Sequence, residues 1–359
     1  MAGDFSDTGC IRTLSPNLPS HFFRWKGRKF QIAPQHFFAS TGGLRKLAKD
    51  NSMPGWVTLD CNGAPHCRHE NGFACYDGKF YLFGGRRIQP VDIFDPETNT
   101  WTHGAPPPIE IHHFQPVIVG HQIWLLGTMT GLFPRETPLE TVYIYEPEAD
   151  RWLEGPEIPQ ARRRGASGCA LHSDCWIYVV GGIVDGHHAD TQAWFDRINP
   201  ETGEWQILPD APNRRDHAPC AIVGDNLFFF GGRETGRHNG TDYNALFFAT
   251  IGDVDVFNFA TQEWSVHAEQ LPVHTAAGGT GVLNGKIHYV GGEAGRMEAF
   301  TEMQIFEPTA GNWSLGAPLN RARHGTNCCV HDGKLWIAAG SGARGGEPEL
   351  TSIEVIAIE

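Results

Sequence analysis

The sequence has 359 residues, a formal net charge of −13 and 40% hydrophobic residues, enough apolar material for a core and against wholesale disorder. Its charged fraction is 19%, below the ~25% of ordinary soluble chains, which excludes a coiled coil. No run of about 18 apolar residues occurs, so no membrane span is expected.

Residues 1–55 carry eight Lys/Arg and three Asp and form a basic arm, while the remaining chain is strongly acidic. An acidic body argues against nucleic acid as a partner. Phe22 to Phe30 alternates aromatic and basic residues, and Leu44 to Lys49 has the length of one short helix. The acidic start, with Asp4 and Asp7 and no apolar run, is unlike a secretory leader. Nine scattered cysteines read as reduced thiols, which predicts a cytoplasmic protein.

From Trp56 onward the sequence repeats. Tryptophans stand at 56, 101, 152, 205, 264 and 313, about 50 residues apart. Seven residues before five of them lies an apolar residue: Phe94, Tyr145, Ile198, Phe257 and Phe306. Upstream of these, apolar runs end in glycine pairs at Gly84-Gly85, Gly181-Gly182, Gly231-Gly232 and Gly291-Gly292. Short alternating stretches such as Lys79 to Phe83 are bounded by Asp-Gly or Asn-Gly turns at Asp77, Asn284 and Asp332, the signature of tight hairpins. A single such sheet cannot bury both its faces, whereas stacked repeats can.

A double glycine, an aromatic and a tryptophan at this period resemble the kelch-repeat family, over residues 56–359. The resemblance implies an all-β fold, a six-bladed kelch β-propeller. Trp56 to Asp60 looks like a fourth strand with no first three before it, and the end of the chain offers three strands with no fourth. The N-terminal strand is therefore expected to close the last blade.

In kelch-like propellers the loops around the channel mouth share one face, and the resemblance places function there. Counting fifteen residues back from the residue that ends each second strand aligns His69, His112, Asp216, Ala276 and His324 at one level. Blade three, with a longer turn at His172 to Cys175, falls near Arg164 or Ala166. His69, His112, His324 and Asp216 form a candidate metal set suited to Fe, Zn, Cu or Mn. One step later stand Glu70, His113 and His217, expected to point away from that level because strand side chains alternate. His113, His217 and Glu293 are candidates for moving protons. Arg68, Arg86, Arg215, Arg233 and Arg323 are candidates for holding an anion, since guanidinium matches carboxylate bidentately. The other reading of the same residues is hydrogen bonding and ion pairing within the repeats.

Two functions follow. One is a cytosolic propeller binding a small anionic metabolite at its mouth, as a metal-dependent isomerase, lyase or oxidoreductase. The alternative is a non-catalytic propeller binding an acidic peptide. The Glu-x3-Asp-x3-His motif of plant nitrile-specifier proteins is not matched: Glu146 and Asp150 fit, but Glu154 stands where His is needed.

Overall fold

The computed structural model describes residues 55–358 and the backbone of two paired strands in the arm, His21–Trp25 and Arg28–Ile32. The helix expected at Leu44 to Lys49 lies outside the described residues. From residue 55 the chain forms six four-stranded antiparallel sheets in propeller order. Blade one consists of Asn71–Tyr76, Lys79–Gly84, Val91–Asp95 and Thr100–Gly104. Blades two to six begin at Gln115–Val119, Gly168–Leu171, Cys220–Val223, Gly279–Leu283 and Cys328–His331. No helix among the described residues is long and apolar enough to cross a membrane.

The repeat spacing has a geometric cause. The residue seven before each of those five tryptophans is its cross-strand partner on the third strand: Phe94 faces Trp101, Tyr145 faces Trp152, and Phe306 faces Trp313. Cross-strand aromatic pairs are the unit of sheet stabilisation, each contributing about 0.2–1 kcal/mol. The indole then reaches across to the preceding blade. Trp152 donates to Ala105 O, Trp205 to Glu157 O and Trp264 to Pro209 O, at 3.0, 3.0 and 2.8 Å.

Six apolar clusters fill the six blade interfaces. Alternation along one strand feeds two of them: Cys328 packs toward blade five and Cys329 toward blade one. The ring closes as expected. Val57 and Thr58 pair with Val355 and Glu354 on the third strand of blade six. Trp56 is buried and donates to Ala317 O at 3.0 Å, so the closing strand is held by packing as well as by its ladder.

Candidate functional site

Each first strand is preceded by a three-residue segment that reaches the channel. The middle residues are His69, His112, Gly165, Asp216, Ala276 and His324. In five blades the middle residue bridges the residue just past the second strand: Met129, Ile183, Arg233, Glu293 and Ser341. The register read from sequence therefore holds, and blade three resolves to Gly165.

The third residue of each segment departs from strand geometry. Glu70, His113, Ala166, His217, Ala277 and Gly325 have φ between +51° and +64°. Their backbones form a ring around the channel. His113 N donates to Glu70 O, Ala166 N to His113 O, His217 N to Ala166 O, Ala277 N to His217 O and Gly325 N to Ala277 O, at 2.8–3.0 Å. Asn71 N closes the ring on Gly325 O at 3.2 Å.

The left-handed turn corrects the expectation that neighbouring residues diverge. Period-two alternation requires extended backbone, and this segment is not extended. Nδ1 of His112 and Nδ1 of His113 lie 2.5 Å apart and share a hydrogen bond. His217 Nδ1 donates to Asp216 Oδ1 at 2.6 Å.

The four residues expected to hold a metal are not brought together. His69 Nδ1 meets Glu349 at 2.7 Å, and His324 Nε2 donates to Ala343 O at 2.8 Å. His112 is tied to His113 and, through Nε2, to Gly131 O at 3.2 Å. Asp216 spends both oxygens, accepting from His217, the hydroxyls of Thr191 and Thr235, and Thr235 N.

The arginines are paired inside the fold. Arg68, Arg164, Arg215 and Arg323 are buried, and each donates to the carbonyl that ends its own second strand: Gly84, Gly181, Gly231 and Ala339. Each also pairs with a third-strand carboxylate, namely Asp92, Asp196, Asp255 and Glu354. These four bind their own blades together. Around the mouth, Arg86 pairs with Glu136 at 2.7 Å and Arg233 with Glu293. Glu293 also accepts from Gly345 N and lies 3.4 Å from His324. None of the five arginines expected to hold an anion presents an unpaired guanidinium.

What does converge is a set that sequence register split apart. Buried His113 and His217, from the channel ring, meet His187 from the hairpin of Ile183–Asp185 and Ala189–Thr191 in blade three. One ligating atom from each lies within 4.8 Å of the other two. Their rings sit 4.9–5.1 Å apart between centroids. Every Nδ1 is occupied: His113 by His112, His217 by Asp216, and His187 by Glu136 at 2.9 Å. His113 Nε2 and His217 Nε2 have no hydrogen-bond partner. Glu70 Oε2 lies 3.5 Å from His113 Nε2, too far for a hydrogen bond.

Electrostatics suits this set to ligation. Burial, reinforced by His112 and Arg86, holds His113 well below the ordinary imidazole range. Burial and Arg233 lower His217, against the pull of Asp216. Both shifts favour the neutral ring, the form that binds metal. Burial opposes the charge on Glu70, but His217, His324 and His69 outweigh it and hold the carboxyl below its usual range. The same balance lowers Glu136, where His187 and Arg86 outweigh burial.

Another cluster, His66, Asp92 and His103, is structural. Asp92 Oδ1 accepts from both imidazoles, and Oδ2 accepts from Arg68 and His66 N. His187 and Glu136 were not singled out from sequence because both sit on inserted loops without repeat register. The only signal was that the loop from Gly182 to Asp190 is polar and glycine-rich, and carries His187 and His188.

A family model described as the KLHDC2/KLHL20/DRC7 Kelch-repeats domain matches residues 155–340, more than half of the chain. The chain is a kelch-repeat protein. This kelch protein is 29% identical over 317 residues to the Kelch-like protein terF of Aspergillus terreus, covering 80% of this chain and 65% of that protein. It is 24% identical over 290 residues to Kelch-like protein 23 of Homo sapiens, covering 77% of this chain and 48% of that protein. It thus spans roughly half to two thirds of the length of these relatives. A solved structure titled "Structure of YjhT" superposes with a TM-score of 0.68 over 83% of this chain and 97% of that one. At 15% identity that likeness is one of fold.

Proposed function

We propose that this kelch propeller is a metal-dependent enzyme acting on a small molecule at its channel mouth, with His113, His187 and His217 as the metal ligands. The observation that carries the reading is the pattern of nitrogen use. Three buried imidazoles converge, each Nδ1 is held by a partner, and Nε2 is left for a shared ligand. Ligating histidines are oriented in this way by a carboxylate or another acceptor on the far nitrogen. Here Asp216 and Glu136 supply two carboxylates and His112 the third partner. Three imidazoles suit Zn, Cu or Fe, and three protein ligands leave a position open for water or substrate. A metal so held would polarise a bound carbonyl or water.

Among partners, a small molecule is favoured over an acidic peptide. Arg68, Arg86, Arg215, Arg233 and Arg323, the cations expected to meet an acidic segment, are all committed to carboxylates. Cys61, Cys67, Cys75, Cys169, Cys220, Cys328 and Cys329 form no disulfide, which supports the cytoplasmic location expected from sequence.

Elemental analysis of purified protein tests the reading. We expect near-stoichiometric transition metal in the wild type and in His69→Ala. Loss is expected in His113→Ala and His217→Ala, with circular dichroism unchanged. Protein that stays metal-free after anaerobic reconstitution with Fe, Zn and Cu, or metal retained by both histidine variants, overturns it.

A further inference from the structure

Arg344 differs from the five arginines considered above. It lies in the loop joining the second and third strands of blade six, just after Ser341, which bridges His324 at the channel. Among the described residues no carboxylate pairs with it. Arg237, in the corresponding loop of blade four, also lacks a carboxylate, but it is exposed and its guanidinium donates no hydrogen bond. Arg344 is half-buried and held in place. Its Nη1 donates to Gly295 O at 2.9 Å, and its guanidinium stands 4.9 Å from the centre of the Phe247 ring, within cation–π range. Its backbone N donates to Met297 O at 2.9 Å. Nε and Nη2 donate to nothing among the described residues, so one edge of the guanidinium fork is free. A fixed fork with a free edge matches a carboxylate bidentately.

Apolar surface adjoins this cation. Gly295 in blade five, whose carbonyl holds Arg344, also carries the Phe248 ring: a Cβ there would lie 2.3 Å from Phe248 Cε1. Met297 follows two residues later. Phe248 and Met297 are 70% and 65% exposed. Loops of blades four, five and six thus meet at one corner of the mouth. The carboxylate of Glu293 reaches the same corner, where Oε2 accepts from Gly345 N, but it is already paired with Arg233 and lies 3.4 Å from His324.

We propose that this corner binds a monocarboxylate with an apolar body. The carboxylate oxygens accept from Nε and Nη2 of Arg344, and the carbon skeleton lies over Phe248 and Met297. None of these residues belongs to the channel ring or to the hairpin that carries His187, so the site goes beyond the metal-centre reading and does not depend on it. The anion expected from sequence returns to the mouth, on an arginine that has no place in the repeat register.

Nuclear magnetic resonance titration of the full-length protein, stripped with a chelator, provides the test. Hexanoate is the probe, hexan-1-ol lacks its charge and acetate lacks its chain. We expect saturable hexanoate binding at least about tenfold tighter than either comparison. Arg344→Gln should weaken hexanoate about tenfold, and Arg344→Lys, which keeps the charge but not the fork, roughly fivefold. Phe248→Ala and Met297→Ala remove exposed side chains and spare the fold, and each should weaken hexanoate about threefold while leaving acetate unchanged. Hexanoate no tighter than hexan-1-ol, or unmoved by Arg344→Gln, overturns the proposal. Should Arg344→Gln lower the melting temperature, the two exposed positions decide, and hexanoate affinity unmoved in both overturns it. Hexanoate binding that appears only after metal is restored places the carboxylate at the histidine centre, which overturns this site and supports that centre.

Discussion

Replacing Asp255 by alanine separates an arginine that holds a blade from one that holds a ligand. Asp255 is fully buried on the third strand of blade four. It accepts from Arg215 Nη2 at 3.0 Å, from Asn213 N at 3.1 Å and from Asn213 Nδ2 at 2.7 Å. Burial lowers the Arg215 pKa and Asp255 opposes that shift, so the carboxylate offsets part of the cost of burying the guanidinium charge. Removing one partner of a buried pair costs about 3–5 kcal/mol, because the other charge stays buried without compensation. At about 2 °C per kcal/mol for a domain of this size, the melting temperature falls by about 6–10 °C. Arg215→Met combined with Asp255→Ala removes both charges, so it should melt no lower than Asp255→Ala alone, with Arg215→Met as the other single variant. Thermal melts followed by circular dichroism across this double-mutant cycle measure the coupling. A shift under about 2 °C for Asp255→Ala refutes the structural assignment and returns Arg215 to the ligand-binding candidates.

Other outcomes follow from single positions. Trp56→Ala removes the buried indole of the closing strand and its bond to Ala317 O, and should cost about 3–5 kcal/mol in a chemical denaturation experiment. Gly325→Ala places a Cβ 2.9 Å from Glu70 N at a φ of +64°, and should lower stability by about 1–3 kcal/mol. Ala277→Gly, at an equivalent φ of +56°, should change it by less than about 1 kcal/mol. Glu349 is opposed by burial but held down to about 2 by His69 and Arg87, below its ordinary 4.5. A depressed carboxylate contributes stability that is fully present above pH 4.5 and is lost as pH falls toward 2. Melting temperatures measured across that window should therefore drop less in Glu349→Gln than in the wild type.

The fold was readable because its spacings are set by hairpins of constant length in every blade but the third. Phe94 and Trp101 keep their interval as cross-strand partners, and fifteen residues separate His69 from Gly84 because the intervening hairpin does not vary. The arginine assignment was harder, since the partner lies beyond a variable loop: Arg68 to Asp92 spans 24 residues and Arg215 to Asp255 spans 40. A signal was nonetheless present. Asp92, Asp196 and Asp255 each stand nine residues before a repeat tryptophan. Blades two and five lack both partners together, with Ile111 and Tyr143 in one and Thr275 and Gln304 in the other. Arginine and acid come and go as a pair within one chain, which is how an internal ion pair behaves.

The same comparison between blades isolates what the fold does not require. The channel-ring position accepts Ala166, Ala277 and Gly325 in blades three, five and six. Positive φ costs a residue with a side chain about 1–2 kcal/mol, and no residue type except glycine advertises it, so Glu70, His113 and His217 gave no sign of the turn they occupy. Blades one, two and four carry that strain and, in addition, bury one carboxylate and two imidazoles where alanine suffices elsewhere. All six positions share the turn, so the turn belongs to the repeat; what differs is that blades one, two and four bury ionisable groups there. That difference sets His113, His217 and Glu70 apart, independently of the contact with His187.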